Sequence, residues 1–236
     1  MQDIVQPHDL SVVFQPIVDI FTGKQFATEA LVRCRVPELA DPVALFRHAV
    51  AHKCSGRLGR MIREIAIPLC PGEPVFVNIH PNELSERWLV RPDDPIFAHD
   101  HDVFLEITES VPFMHFQLCL DVLRDVRSRG SVHLVIDDLG AGYSNLNRIA
   151  DLEPRFVKLD RDLITQLDQH PRRRQLVTSV VKLCTELGAA VVAEGIETCG
   201  EFNAICDTGA RYGQGYLFAR PAFPTPLVTW PPMEPA

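Results

Sequence analysis

The sequence predicts an α/β fold, a TIM-like (β/α)8 barrel entered through an antiparallel hairpin. Three observations lead there. Eight short β-like runs alternate with amphipathic stretches, the pattern of a largely parallel sheet. The 236 residues suit one barrel of that kind, with 46% apolar and 23% charged residues. Polar residues recur at the ends of the β-like runs at intervals near the ~31 residues of one strand-helix unit.

Residues 12–20 read as the first strand, Thr22-Gly23 as a turn, and 25–32 as the returning strand. Residues 42–54 and 58–69 carry helical spacing, 75–79 a strand, 82–89 a short helix and 103–108 a strand. Phe116, Cys119, Leu120, Leu123 and Val126 then repeat at helical intervals until Gly130 stops them. Residues 133–137 form the next strand, with Ser144 as a cap for the short helix that follows. After the strand at 156–159, Leu176, Val177, Val180, Val181, Cys184 and Leu187 stripe a long helix ended by Gly188. Residues 189–193 make a strand, 202–205 belong to a helix, and 215–218 supply the eighth strand. From Pro221 onward prolines accumulate, and a poorly ordered tail is expected. No repeat or linker divides the chain, so residues 1–236 are expected to form one domain with its core at about 10–222.

The formal charge of −8 disfavours binding to polymeric nucleic acid or to an anionic membrane surface. No apolar run approaches the roughly 18 residues of a membrane span, and Asp3 and Asp9 stand where a secretion signal would be basic, then apolar. A cytoplasmic protein without membrane insertion is the expectation. Seven scattered cysteines without a CxxC pair read as reduced thiols.

Glu29, Asn78, Glu106, Asp137, Lys158, Glu194 and Gln214 fall at successive strand ends, which a barrel gathers at one mouth. Each has a plain reading alone. Asn78 can cap a following helix, Asp137-Asp138 can shape a turn, and Lys158 can pair with Asp160. Their joint occurrence is what those readings leave unexplained. Crowded carboxylates repel one another and resist burial, and divalent cations relieve both problems. Oxygen donors without thiolates suit magnesium or manganese. Asp137 and adjacent Asp138 can bridge two ions if the strand turns there, and such a pair, about 3.5–4 Å apart, clamps an in-line displacement at phosphorus. Lys158 would then orient the attacking water or stabilise negative charge, and Glu194 would bind the second ion or accept a proton.

The chain resembles the EAL family of cyclic di-GMP phosphodiesterases. The resemblance rests on Phe14-Gln15-Pro16-Ile17-Val18, Glu29-Ala30-Leu31-Val32-Arg33, Val77-Asn78 and Glu106-Ile107-Thr108-Glu109. It continues through Asp137-Asp138-Leu139-Gly140-Ala141-Gly142-Tyr143-Ser144, Val157-Lys158-Leu159-Asp160, Ala193-Glu194-Gly195-Ile196-Glu197-Thr198 and Gln214-Gly215-Tyr216-Leu217-Phe218. It implies hydrolysis of cyclic di-GMP to 5′-pGpG, with two Mg2+ or Mn2+ ions. It implies that Glu29, Asn78, Glu106 and Asp137 hold one ion, and Asp137, Asp138 and Glu194 the other, with Lys158 on the water. Gln15, Leu31, Arg33 and Gln214 would contact substrate, Glu197 would join the metal-linked network or the substrate, and Glu109 would anchor the Gly-rich loop. A homodimer formed near that loop is implied as well. The alternatives from another class are a receptor that binds cyclic di-GMP without cleaving it, or a protein-docking barrel. Cys34, Leu139 and Asn145 depart from the family's usual Trp, Phe and Ser; none of the three is a metal ligand.

Overall fold

The computed structural model describes residues 5–86, 88–108, 116–140 and 146–230. Eight strands close into one barrel in sequence order. They are β1 (Leu10–Asp19), β2 (Gln25–Cys34), β3 (Val75–Ile79), β4 (Val103–Thr108), β5 (Val132–Leu139), β6 (Phe156–Leu159), β7 (Ala190–Ala193) and β8 (Tyr212–Gly213). β1 runs antiparallel to both β2 and β8, and every other neighbouring pair is parallel. The expected opening hairpin is therefore present, with Gln15 opposite Glu29.

Among the described residues seven helices surround the strands: α1 (Pro42–Ala51), α2 (Ser55–Ala66), α3 (Phe116–Ser128), α4 (Asn147–Leu152), α5 (Arg161–Ile164), α6 (Pro171–Glu186) and α7 (Cys199–Cys206). Local chemistry sets their ends. Asp41 accepts from the Val43 amide ahead of Pro42 at the start of α1. Thr198 and Glu201 exchange side-chain and backbone hydrogen bonds as a capping box for α7. Gly188, at φ +85°, follows α6. None of the described helices is long and apolar enough to cross a membrane.

Period-two alternation along the strands builds the barrel interior in layers. Ile17, Ala27, Phe76, Phe104, Val135, Phe156, Val192 and Tyr212 form a separate interior cluster. Phe76 and Phe104 stack at 4.4 Å between centroids, and Phe156 meets Phe104 edge-on at 5.1 Å. Two residues toward the mouth on each strand path, the same inward face carries Gln15, Glu29, Asn78, Glu106, Asp137, Lys158, Glu194 and Gln214. An apolar plug thus floors a polar layer with one residue from each strand path.

Three expectations need correction. The eighth strand is Tyr212–Gly213, and 215–218 form a turn instead. Hydrogen bonds from Ile196 to the Gln214 carbonyl and from Leu217 to the Ile196 carbonyl bend the chain away from the barrel there. The predicted helix at 82–89 is a short 3-10 turn, Pro81–Ser85. The tail is placed through Trp230 rather than left loose. Ala222 bridges Phe14 with backbone hydrogen bonds of 2.7 and 3.0 Å. Trp230 stacks on Phe218 and meets Phe202 edge-on. The tail therefore covers β1. Gly23, at φ +71°, is needed beneath it, since a Cβ there would lie 2.6 Å from the Trp230 ring.

Cys34 is buried among Val5, Leu10, Val32 and Leu45, and Leu139 is buried in the main core. The six cysteines whose side chains are described are all free thiols. Glu109, Ser144, Asn145 and the loop at 141–145 lie outside the described residues.

Candidate active site

The mouth holds a cavity of about 790 Å³. At its floor the ammonium of Lys158, 1% exposed, is ringed by carboxylates. Its Nζ lies 2.6 Å from Glu194 Oε1, 2.7 Å from Glu106 Oε1, 3.3 Å from Glu29 Oε2 and 3.6 Å from Asp137 Oδ1. Asn78 donates to Glu29 Oε1 at 3.2 Å. Gln214 donates to Glu29 Oε2 at 2.8 Å and to Gln15 Oε1 at 3.3 Å, while Gln15 donates to the Ala219 carbonyl.

The plain readings of two residues give way here. Asn78 does not cap the following turn; His80 does, accepting from the Asn82 amide. Asp160 caps α5 rather than pairing with Lys158.

Adjacent aspartates on a regular strand point to opposite faces. At Asp137-Asp138 the β5–β6 register shifts between Ile136 and Leu139, and Asp138 adopts φ +60°. The bulge turns both side chains to one side. As a result, carboxylate oxygens of Asp137, Asp138 and Glu194 come within 4.8 Å of one another. Thr108, two residues beyond Glu106 on β4, holds Asp138 by donating to Oδ2 at 3.2 Å.

Burial and mutual repulsion govern the ionisation of this group. Burial pushes Glu106 well above the usual carboxylate range, and the Glu29 charge adds to it. Burial likewise pushes Asp137 up to about 6 and Glu194 up to about 8, against the pull of Lys158. For Glu29 burial also acts upward, but Lys158 and the Gln214 hydrogen bond outweigh it and leave the carboxyl lowered. Lys158 is raised because four carboxylates overcome its desolvation.

The residues fit divalent cations. Glu106 Oε2 and Asp137 Oδ1 are buried and accept no hydrogen bond, so each keeps an unused lone pair. The donors are carboxylate and amide oxygens, the set that suits magnesium or manganese. Metal binding must displace protons from raised carboxylates. In the metal-free fold Asp137 and Glu194 titrate above their unfolded values, so the stability they contribute is complete below about pH 4. It is lost as pH rises through about 6 and about 8. The rise in Tm on adding magnesium or manganese is therefore expected to be larger at pH 8 than at pH 6, measured by scanning calorimetry. A larger rise at pH 6 would contradict this assignment.

The cavity wall also includes Leu31, Arg33 and Glu197. Glu197 is paired with Arg161 at 3.2 Å, which ties the loop after β7 to the start of α5. Sequence reasoning did not find Thr108 or Arg161. Thr108 shares the inward period of β4 with Glu106, a signal that was present; Arg161 has none.

A closed barrel with an acidic, cation-fitting mouth is the class that fold and site define. The chain belongs to the EAL domain family, whose model matches residues 1–221. It is 30% identical over 242 residues to the cyclic di-GMP phosphodiesterase PA2567 of Pseudomonas aeruginosa, covering 92% of this chain and 39% of that protein. The chain thus spans well under half the length of that relative. Among solved structures it is similar to the Klebsiella pneumoniae BlrP1 calcium/cy-diGMP complex, with TM-score 0.78 and 29% identity. That match covers 94% of this chain and 58% of the other. An EAL domain protein from Listeria monocytogenes shares the fold at TM-score 0.80 and 24% identity, covering 93% and 91% of the two chains.

Proposed function

We propose that this chain is a metal-dependent phosphodiesterase that hydrolyses cyclic di-GMP to linear 5′-pGpG, using two Mg2+ or Mn2+ ions. The observation that carries the reading is the polar layer itself: four acids, three amides and one lysine converge where a phosphodiester could enter. The relatives named for cyclic di-GMP supply the substrate class. Bound cations would acidify a water and stabilise charge on the oxygens around phosphorus. Glu29, Asn78, Glu106 and Asp137 would hold one ion, and Asp137, Asp138 and Glu194 the other. Lys158 would orient the attacking water from the floor of the site, and Glu194, as the alternative to binding the second ion, would take its proton. Gln15, Leu31, Arg33 and Gln214 would line the substrate, with the Arg33 fork on a phosphate. Glu197, steadied by Arg161, would complete the rim. Glu109 would anchor the loop at 141–145, and a homodimer formed near that loop is part of the same proposal.

Incubation of the purified protein with cyclic di-GMP and magnesium or manganese is expected to yield 5′-pGpG by chromatography, and a chelator should abolish the product. Substrate left intact for hours by micromolar folded protein in either metal would sink the reading. Tight binding without product would instead assign the chain as a receptor.

A further inference from the structure

Helix α1 presents an unusual face to the mouth. Leu45 and Ala49 bury its inner side against the cluster that contains Cys34. Val43, Phe46, Arg47 and Val50, spaced as i, i+3, i+4 and i+7, form another stripe, and all four line the mouth cavity. A helix face turned to solvent is ordinarily polar. Here it is apolar except for one arginine, and Val43 is 61% exposed. The Phe46 ring is half-buried, rests on that same cluster and lies nearly parallel to His80, with centroids 6.3 Å apart. Arg47 forms no ion pair or hydrogen bond among the described residues. This shelf therefore offers a flat apolar surface beside a planar fork of unused donors.

A purine base has the matching chemistry. Its faces seek apolar cover, and guanine carries two adjacent acceptors, O6 and N7, that a guanidinium engages together. Adenine replaces O6 with an amino donor, which would oppose the arginine. Arg33 stands elsewhere, four residues beyond Glu29 on the same face of β2, above the carboxylates. The two arginines thus reach the mouth from different elements, β2 and α1.

We propose that Arg47 reads the O6/N7 edge of one guanine of the substrate while the base lies on Val43, Phe46 and Val50. The assignment rests on the phosphodiesterase reading and adds a specificity residue to it. Arg47→Ala and Arg47→Lys are the tests, since lysine keeps the charge but loses the fork. Both variants are expected to raise KM for cyclic di-GMP about tenfold, or about 1.4 kcal/mol, with kcat changed less than about twofold. Discrimination against cyclic di-AMP should fall by a similar factor. An unchanged KM would overturn the assignment. So would a loss shared equally by both dinucleotides and rescued by lysine, which would make Arg47 a simple phosphate charge. If the wild type does not turn over, calorimetry in calcium reads the same comparison as Kd. An unchanged Kd in the variants overturns the Arg47 assignment alone. No binding by the wild type overturns it together with the phosphodiesterase reading.

Discussion

Lys158→Met, in chelator, is expected to be about 3–5 kcal/mol less stable than the wild type, the range for removing one partner of a buried ion pair. For a chain of this size that is a fall in Tm of roughly 10 °C. The reason is geometric. Four carboxylates approach one ammonium within 2.6 to 3.6 Å, and the aromatic plug closes the group off from below. Without the lysine the acids keep their desolvation penalty and lose the ammonium that faces them. Magnesium or manganese should restore most of the lost stability, because it supplies the missing positive charge. The variant should accordingly bind either metal more tightly than the wild type, and calorimetric titration reads this directly. Protonation limits the damage, so the destabilisation in chelator should be smaller at pH 6 than at pH 8. On the proposed phosphodiesterase reading, hydrolysis should fall at least about a hundredfold even with metal restored, since the group proposed to orient the water is gone. A variant with wild-type Tm in chelator and an unaltered response to metal would refute the assignment of Lys158 as the ring's internal counter-charge.

Much of this site was legible because strand periodicity places chemistry without knowledge of the contacts. Phe76 and Asn78, Phe104 and Glu106, and Phe156 and Lys158 each repeat one step: an apolar residue, then two positions on a polar one. A barrel turns that step into a plug beneath a ring. The opening hairpin was legible from Thr22-Gly23 between two alternating runs. Other features had no local signature. Two residues suffice for β8 because both its neighbours supply ladders, whereas the largely apolar Gly215-Tyr216-Leu217-Phe218 after it carries the stronger strand signal. The tail's prolines read as disorder, yet Ala222 and Trp230 find partners more than two hundred residues away in sequence, at Phe14 and Gly23. The bulge that aligns Asp138 with Asp137 needs a left-handed aspartate, which the sequence permits but does not specify.

The least legible feature is a buried ion triad, and Arg63→Ala is expected to cost about 3–5 kcal/mol by urea denaturation. Arg63 on α2 is fully buried. Its Nη1 donates to Glu83 Oε2 at 2.8 Å, and its Nη2 to Asp94 Oδ2 at 2.9 Å. Both acids are themselves buried, and both also hold backbone: Glu83 accepts from the His80 amide and Asp94 from the Ile96 amide. The partners stand 20 and 31 residues from Arg63 with no periodic relation to it, so no window of sequence could show them. Packing is close enough that a Cβ on Gly59 would lie 2.0 Å from Glu83 Oε2. Alanine would leave two buried carboxylates without the guanidinium that bridges them, in a space too tight for easy relaxation. Arg63→Lys should recover only part of the loss, since one ammonium cannot reproduce the fork that spans both acids. Because the turn at Pro81–Ser85 follows Asn78 and His80 directly, Arg63→Ala should also weaken metal binding, although Arg63 is not among the residues lining the mouth cavity. A loss below about 1 kcal/mol, the scale of an exposed pair, would show that water reaches the triad and that its burial does not govern its energy.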